Sequence, residues 1–256
     1  MCIRDRYNRI KKNKSIQLAI ERTRKWIVGM QSKNGGWGAF DIDNVHYYLN
    51  SIPFADHGAL LDPPTADVSA RCLSFLKQLD NPRDRDCIER ATNYLLSEQE
   101  QDGSWYGRWG TNYIYGTWSV LSALNLVEFR DKKVVFDKAI HYLKTYQRND
   151  GGWGEDGKSY YKNFENLSKE STPSQTSWAI MGLLAAGQIN SSEVEKGLRY
   201  LTNKETKFHE DHFTAVGFPK VFYLKYHGYA KYFPLIAISK INNQLKKNSI
   251  YPNYGT

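Results

Sequence analysis

One eight-residue phrase recurs three times in this chain: Gln31-Ser32-Lys33-Asn34-Gly35-Gly36-Trp37-Gly38, Gln99-Glu100-Gln101-Asp102-Gly103-Ser104-Trp105-Tyr106 and Gln147-Arg148-Asn149-Asp150-Gly151-Gly152-Trp153-Gly154. Such self-similarity marks an array of like units, and it restricts the fold before any single element is assigned. Each copy follows an amphipathic helical stretch. Ahead of Gln147, apolar residues fall at Phe136, Ala139, Ile140 and Leu143, the spacing of one helix face; Ile88, Ala91 and Leu95 precede Gln99. Asn or Asp followed by Gly ends each helix, because Gly takes the left-handed conformation without a Cβ clash. The Gln amide offers two donors and an acceptor near the last turn. The Trp brings a flat face and one N–H. The phrase reads as a structural turn that ties the end of one helix to the start of the next. Gln31, Trp37, Gln99, Trp105, Gln147 and Trp153 are therefore scaffold, expected on an outer rim.

The segments between the repeats are of another kind. Residues 113–127 and 178–186 are apolar on nearly all sides, the mark of helices buried all round. Buried helices alternating with amphipathic charged ones predict an all-α fold of two concentric helical layers, an α/α barrel or toroid. A fourth unit is degenerate: Gly197-Leu198-Arg199-Tyr200-Leu201 matches the helix, but Glu205 stands where Gln is expected. The Asn81-Pro82-Arg83-Asp84 stretch predicts a helix start, with a cap, a Pro and an acid in the first turn. Residues 39–66 form a long loop, a feature associated with function. Pro219 is expected to open a helix carrying Phe222, Tyr226 and Tyr229 on one face, at i, i+4 and i+7. Residues 1–18 are an unplaced basic leader, 19–240 the barrel domain, and 241–256 a polar, frayed tail.

Composition narrows the function. The net charge of +8 is moderate, and no basic run interleaved with aromatics follows a nucleic-acid backbone. The same charge suits association with an anionic membrane surface. No stretch reaches the ~18 apolar residues of a membrane span. Cys2, Cys72 and Cys87 show no metal spacing, the six histidines form no ligand cluster, and a reducing cytoplasm is the expected setting. No metal and no cofactor are assigned. Aromatic residues make up 14% of the chain, with 7 Trp and 18 Tyr, which suits a ring-lined cavity as well as ordinary helix packing.

The repeats, with Ile52-Pro53-Phe54-Ala55-Asp56, Asp67-Val68-Ser69-Ala70-Arg71, Gly107-Arg108-Trp109-Gly110, Ser171-Thr172-Pro173-Ser174-Gln175 and Gly217-Phe218-Pro219, resemble the squalene–hopene cyclases of the terpene cyclase/mutase family. The resemblance covers about residues 19–240 and corresponds to the C-terminal part of longer enzymes. It implies two α/α barrels around a cavity, attached to the cytoplasmic side of a membrane as a monotopic protein. It also implies a squalene-like hydrocarbon substrate, the N-terminal half of the same enzyme as partner, and allows a homodimer. In the family an Asp of an Asp-x-Asp-Asp motif protonates a terminal alkene, and a cascade of carbocations closes the rings. That motif is absent here. Asp41-Ile42-Asp43-Asn44 looks like it, but the resemblance places it in the loop after the first repeat, away from the acid.

By the same resemblance Asp67, Arg71, Arg108 and Tyr115 form the shell supporting the acid. Arg71 stands where members carry His or Arg, and Asp67 beside it is expected to be ionised. Read alone, Asp67 is a helix cap and Arg71 a solvated charge. Carbocations need ring faces and no nucleophile, and each cation–π contact contributes ~0.5–2 kcal/mol. The implied lining is Phe40, Trp109, Phe218, Phe222, Tyr226 and Tyr229. Phe40 departs from the common template, which has Tyr there. From periodicity alone, Phe222, Tyr226 and Tyr229 form a core stripe. Phe54 and Ala55 match the constriction of the family's substrate channel, against the plainer reading of loop residues packed under a Pro turn. The reading is a cyclase fragment lacking its acid and inactive alone. Its rivals are a related cyclase of another polyprenyl substrate, oxidosqualene among them, and a non-catalytic helical repeat scaffold.

Overall fold

A computed structural model describes residues 13–54, 60–161, 170–203, 205–206, 208 and 213–246. In chain order these form α1 (Lys14–Gly29), α2 (Ala66–Leu79), α3 (Arg85–Ser97), α4 (Tyr113–Leu124), α5 (Lys132–Thr145), α6 (Pro173–Ala185), α7 (Ser192–Thr202), β1 (Ala215–Phe218), β2 (Phe222–Leu224) and α8 (Tyr229–Leu245). The helix starts follow local chemistry. Asn13 caps α1 by accepting from the Ser15 and Ile16 amides, so this helix begins inside the stretch read as a leader. Asn81 and Pro82 open a 3-10 turn that feeds α3. Thr172 caps α6, with Pro173 at its first position, and Ser191 caps α7. At the other end α8 runs to Leu245 with Ile241 buried, so the polar tail expected from residue 241 begins as packed helix.

The helices alternate between two layers. Inner helices α2, α4, α6 and α8 pack side by side in that order, while α3 lies on α2, α5 on α4 and α7 on α6. Every residue of α6 is buried, and so is all of α4 except Tyr113 and Tyr115. This is what a helix apolar on all sides requires, since each face needs a neighbour. The outer helices bury one stripe only: Cys87, Ala91, Thr92, Tyr94 and Leu95 in α3, and Val194, Gly197 and Leu201 in α7.

The repeats are the joints between these layers. The amides of Gln31, Gln99 and Gln147 donate to the carbonyls of their own Gly35, Gly103 and Gly151 at 2.8, 3.0 and 2.9 Å. They also donate to the carbonyls of Cys87, Val135 and Glu193, near the start of the next outer helix, at 2.9, 3.0 and 2.9 Å. Each indole N–H, of Trp37, Trp105 and Trp153, donates at 2.7 Å to the preceding outer helix, at Ile27, Leu95 and Leu143. Each Trp backbone N–H donates to a hydroxyl of the next inner helix: Ser69, Thr117 and Thr176. One phrase thus stitches three helices, and the tryptophans are buried between layers rather than gathered in one pocket. The glycines have φ of +93°, +93° and +87°, and a Cβ on any of them would fall 2.4–2.6 Å from the carbonyl of Arg90, Lys138 or Lys196. Helix α1 is held by the indole of Trp37 and by a buried pair, in which Arg24 Nε and Nη2 donate to Asp84 at 2.7 and 2.6 Å.

Past α7 the structure departs from expectation. Pro219 opens no helix; it turns an antiparallel hairpin, with Ala215 opposite Leu224, Val216 opposite Tyr223 and Phe218 opposite Phe222. Proline disfavours the α region for the residue before it, so Phe218 stays extended. Pro219 and Lys220 then occupy the central positions of a β-turn, closed by Val221 N–H donating to Phe218 O at 3.0 Å, with Lys220 at φ +69°. Phe222 therefore lies in a strand, Tyr226 in the following turn and Tyr229 at the start of α8. The expected common helix face does not exist.

Candidate active-site surface

The turn Gly107–Asn112, between the second repeat and α4, is held from four sides. Asp67, in the first turn of α2, accepts the backbone N–H of Arg108 at 3.0 Å and of Trp109 at 2.8 Å through one oxygen. Its other oxygen accepts from the Thr65 hydroxyl at 2.7 Å and the Val68 amide at 3.0 Å. The Tyr160 hydroxyl lies 2.5 Å from Gly107 O and 3.1 Å from Gly110 O. Strand β1 adds backbone pairing: Thr111 N–H donates to Thr214 O at 3.0 Å, and Val216 N–H to Trp109 O at 3.2 Å. The Gln175 amide donates to Thr111 O at 2.9 Å. Asp67 is 2% exposed, and burial pushes its pKa up against the opposing pull of these hydrogen bonds. Asp67 thus departs from the expected carboxylate held low by Arg71; its partners are backbone amides and a hydroxyl.

What this fixed turn presents is a guanidinium among rings. Arg108 lies 4.4 Å from the Trp109 ring centroid and 5.3 Å from that of Phe218, and its Nη1 is buried without a hydrogen-bond partner among the described residues. Phe40 meets Trp109 edge to face at 5.9 Å, and Phe222 meets Phe218 at 5.4 Å. Phe40 is positioned through its backbone: Asp62 accepts the amides of Ala39, Phe40 and Asp41 at 3.1, 2.5 and 2.7 Å. The Asp41-Ile42-Asp43-Asn44 stretch braces the same loop, with Asp43 accepting Lys33 N–H at 2.8 Å and Asn44 donating to Asp41 at 2.9 Å.

A second group adjoins the first. Arg71 lies 4.3 Å from the Trp118 ring and 5.9 Å from that of Tyr115, and donates to the Ser119 hydroxyl at 3.3 Å. Tyr115 packs edge-on to Trp178 at 4.9 Å, and burial raises its pKa while Arg71 opposes the shift. Phe233 of α8 touches Trp118, Trp178 and Tyr229 at 5.6, 5.3 and 5.0 Å, and Tyr229 touches Tyr226 at 5.0 Å. The groups meet where the Tyr115 ring presses on Gly110; a Cβ there would be 2.4 Å from the ring. The structure therefore gathers Asp67, Arg108, Trp109, Phe40, Phe218 and Phe222 in one group and Arg71, Tyr115, Tyr226 and Tyr229 in the other. Phe54 is 84% exposed, so it is not packed under the Pro53 turn, and Ala55 lies outside the described residues.

Sequence reasoning missed Trp118, Trp178 and Phe233 as ring partners, and Asp62, Glu155 and Tyr160 as braces. Trp118 and Trp178 sit in apolar runs, where the only local signal is burial. Only the side-by-side packing of α4, α6 and α8 brings their rings together.

The helical double layer has the fold of the terpene cyclases. A solved structure of ent-copalyl diphosphate synthase from Streptomyces platensis shares this architecture, with a TM-score of 0.58 over 83% of this chain and 36% of that one, at 18% identity. The chain belongs to the squalene–hopene cyclase family: the model of the squalene-hopene cyclase C-terminal domain matches residues 2–243. It is 52% identical to squalene–hopene cyclase of Zymomonas mobilis over 240 residues, covering 91% of this chain and 36% of that protein. It is 41% identical to dammaradiene synthase of Dryopteris crassirhizoma over 260 residues, covering 91% and 38%. The chain thus spans little more than a third of the length of these relatives.

Proposed function

We propose that this chain is the C-terminal catalytic-barrel part of a triterpene cyclase that converts squalene to hopene or hopanol by proton-initiated cyclisation. The observation that carries the reading is the braced Gly107–Asn112 turn, which sets Arg108 and Trp109 against Phe40 and Phe218. In this reading the acid that protonates the terminal alkene comes from outside residues 1–256. Arg108, whose Nη1 has no partner among the described residues, and Arg71 with Tyr115 supply its hydrogen-bonding surroundings. Asp67 acts one step back, holding the turn rather than delivering the proton. The faces of Trp109, Phe40, Phe218 and Phe222 stabilise positive charge as it moves along the hydrocarbon, each by ~0.5–2 kcal/mol. Exclusion of water completes the chemistry, because water captures cations and weakens every ring contact. Phe40 and Phe222 are 71% and 45% exposed, so the dry site requires the N-terminal half of the enzyme as cover. A hydrocarbon substrate is drawn from the bilayer, so the reading extends to a monotopic protein on the cytoplasmic face of a membrane.

The resemblance to dammaradiene synthase favours a second reading, in which the same surface shapes another polycyclic product. Incubation of the purified chain with squalene in detergent, followed by extraction of hydrocarbons, tests the assignment. The expected result is no cyclic product from the chain alone and product on addition of the matching N-terminal portion as a separate chain. Cyclic product from the chain alone, lost in Asp67→Asn, would overturn the placement of the acid. Flotation with liposomes tests the membrane arm.

A further inference from the structure

Glu155 follows the third repeat directly, yet its carboxylate reaches back to the second. Helix α4 lacks a cap of its own: Asn112, at the cap position, makes no capping bond to it and instead accepts Gly107 N–H at 3.1 Å. Glu155 fills that place from a distance. Its two oxygens accept the amides of Ile114 at 2.6 Å and Tyr113 at 3.2 Å, donors that a helix start otherwise leaves unmet. An anion at a helix N-terminus also meets the favourable end of the dipole. Gln175 of α6 locks the arrangement, accepting Glu155 N–H at 3.1 Å and donating to Glu155 O at 2.8 Å and Thr111 O at 2.9 Å. In the first turn of α4 stands Tyr115, whose ring rests on Gly110. Displacing the first turn of α4 therefore displaces Tyr115 and the Gly107–Asn112 turn together.

We infer that Glu155 is a positioning residue for the Arg108–Trp109 turn, and that the charge on its carboxylate sets how that turn and Tyr115 are held. The inference rests on the reading that this turn faces substrate, but its test does not. Burial drives the Glu155 pKa up to about 7, against the pull of the amides it caps, so its charge changes near neutrality. Among the described residues the titratable groups facing it are Tyr113 of α4, Tyr142 of α5 and Tyr160 of the turn 157–160. Burial raises the pKa of all three, so they stay neutral through that range. The Ser159 hydroxyl and the Gln175 amide, which also meet Glu155, carry no charge. Protonation removes the charge from the helix start and turns one of the two accepting oxygens into an O–H donor, which weakens the hold on Tyr113 and Ile114.

The readout is the indole N–H resonance of Trp109 in the nitrogen-15-labelled chain, assigned by its loss in Trp109→Phe. It is expected to shift with a midpoint near the Glu155 pKa. In Glu155→Gln the midpoint disappears, while Trp37, on the first repeat, keeps its position as a control on folding. Asp67 also touches the turn, so Asp67→Asn is the discriminating arm: the midpoint persists there. A midpoint abolished by Asp67→Asn and retained in Glu155→Gln would overturn the inference. If Glu155→Gln does not fold, the carboxyl carbon-13 signal of Glu155 in the unaltered chain replaces it. A single midpoint shared with the Trp109 indole supports the coupling, and two separate midpoints refute it. Both measurements are made on this chain, so they stand or fall separately from squalene cyclisation by the complete enzyme.

Discussion

Substituting Gly103 with Ala isolates what the repeats contribute. Two effects add. An L residue at φ +93° is strained by ~1–3 kcal/mol. The new Cβ also lies 2.5 Å from the carbonyl carbon and oxygen of Lys138 and 2.8 Å from its Cβ, far inside contact distance. Backbone in a packed helix does not give way cheaply, so α5 must retreat. Retreat stretches the Gln99 bond to Val135 O, now 3.0 Å, and a hydrogen bond of this kind is worth ~0.5–1.5 kcal/mol, while forcing packed backbone apart adds ~1–3 kcal/mol. The total is ~3–6 kcal/mol, a large part of the ~5–15 kcal/mol that holds a domain folded. Gly187 provides the control. It has φ +75° and no atom within 4 Å of an added Cβ, so Gly187→Ala carries the backbone strain alone, ~1–2 kcal/mol. Urea unfolding followed by tryptophan fluorescence measures both. Equal losses in the two variants would refute the argument that Gly103 is required by its approach to α5 rather than by its backbone angle.

Other consequences follow from named groups. Arg24→Ala leaves Asp84, 1% exposed, as a buried charge without its bidentate partner and should cost ~3–5 kcal/mol by urea titration, whereas trimming the exposed Arg199–Glu195 pair should cost under ~1 kcal/mol. Glu155, raised from 4.5 to about 7, binds its proton more tightly folded than unfolded, so its contribution to stability grows as pH falls from 7 to 4.5 and is flat above. The span is about 3 kcal/mol; unfolding midpoints at several pH values should show it, and Glu155→Gln should remove that share of the slope. In the complete enzyme carrying this segment, Phe222→Ala should release early-terminated, partly cyclised products, detected by gas chromatography. An unchanged product mixture at an unchanged rate would make Phe222 a packing residue only.

The architecture was legible because its signals are local and repeated. A residue apolar on every side of a helix can only be buried, and three copies of one phrase can only be three like joints. The amide donors of Gln31, Gln99 and Gln147 found partners where a turn between helices would place them. How the candidate residues group in space was less legible. Phe222, Tyr226 and Tyr229 fit a helical period by coincidence of spacing; Pro219 after Phe218 and the pairing with β1 decide for a strand. Asp67 stands four residues before Arg71, the spacing of a helix-face pair, yet two amides 41 and 42 residues further along the chain hold it instead.

What the amino-acid sequence determined by itself was therefore the alternation of buried and half-buried helices, the helix start at Asn81 and Pro82, and the joints that order them in two layers. The patterns that mark them lie within a turn or two of chain, although the joints themselves close on carbonyls 36 to 56 residues away. The tertiary structure alone decided which groups share a surface: Arg108 over Phe218, Phe40 against Trp109, Phe233 among Trp118, Trp178 and Tyr229, and Glu155 at the start of α4. Each of these pairings joins residues tens of positions apart. No local pattern encodes such a meeting, because it arises only when the packing of whole helices fixes where their ends lie.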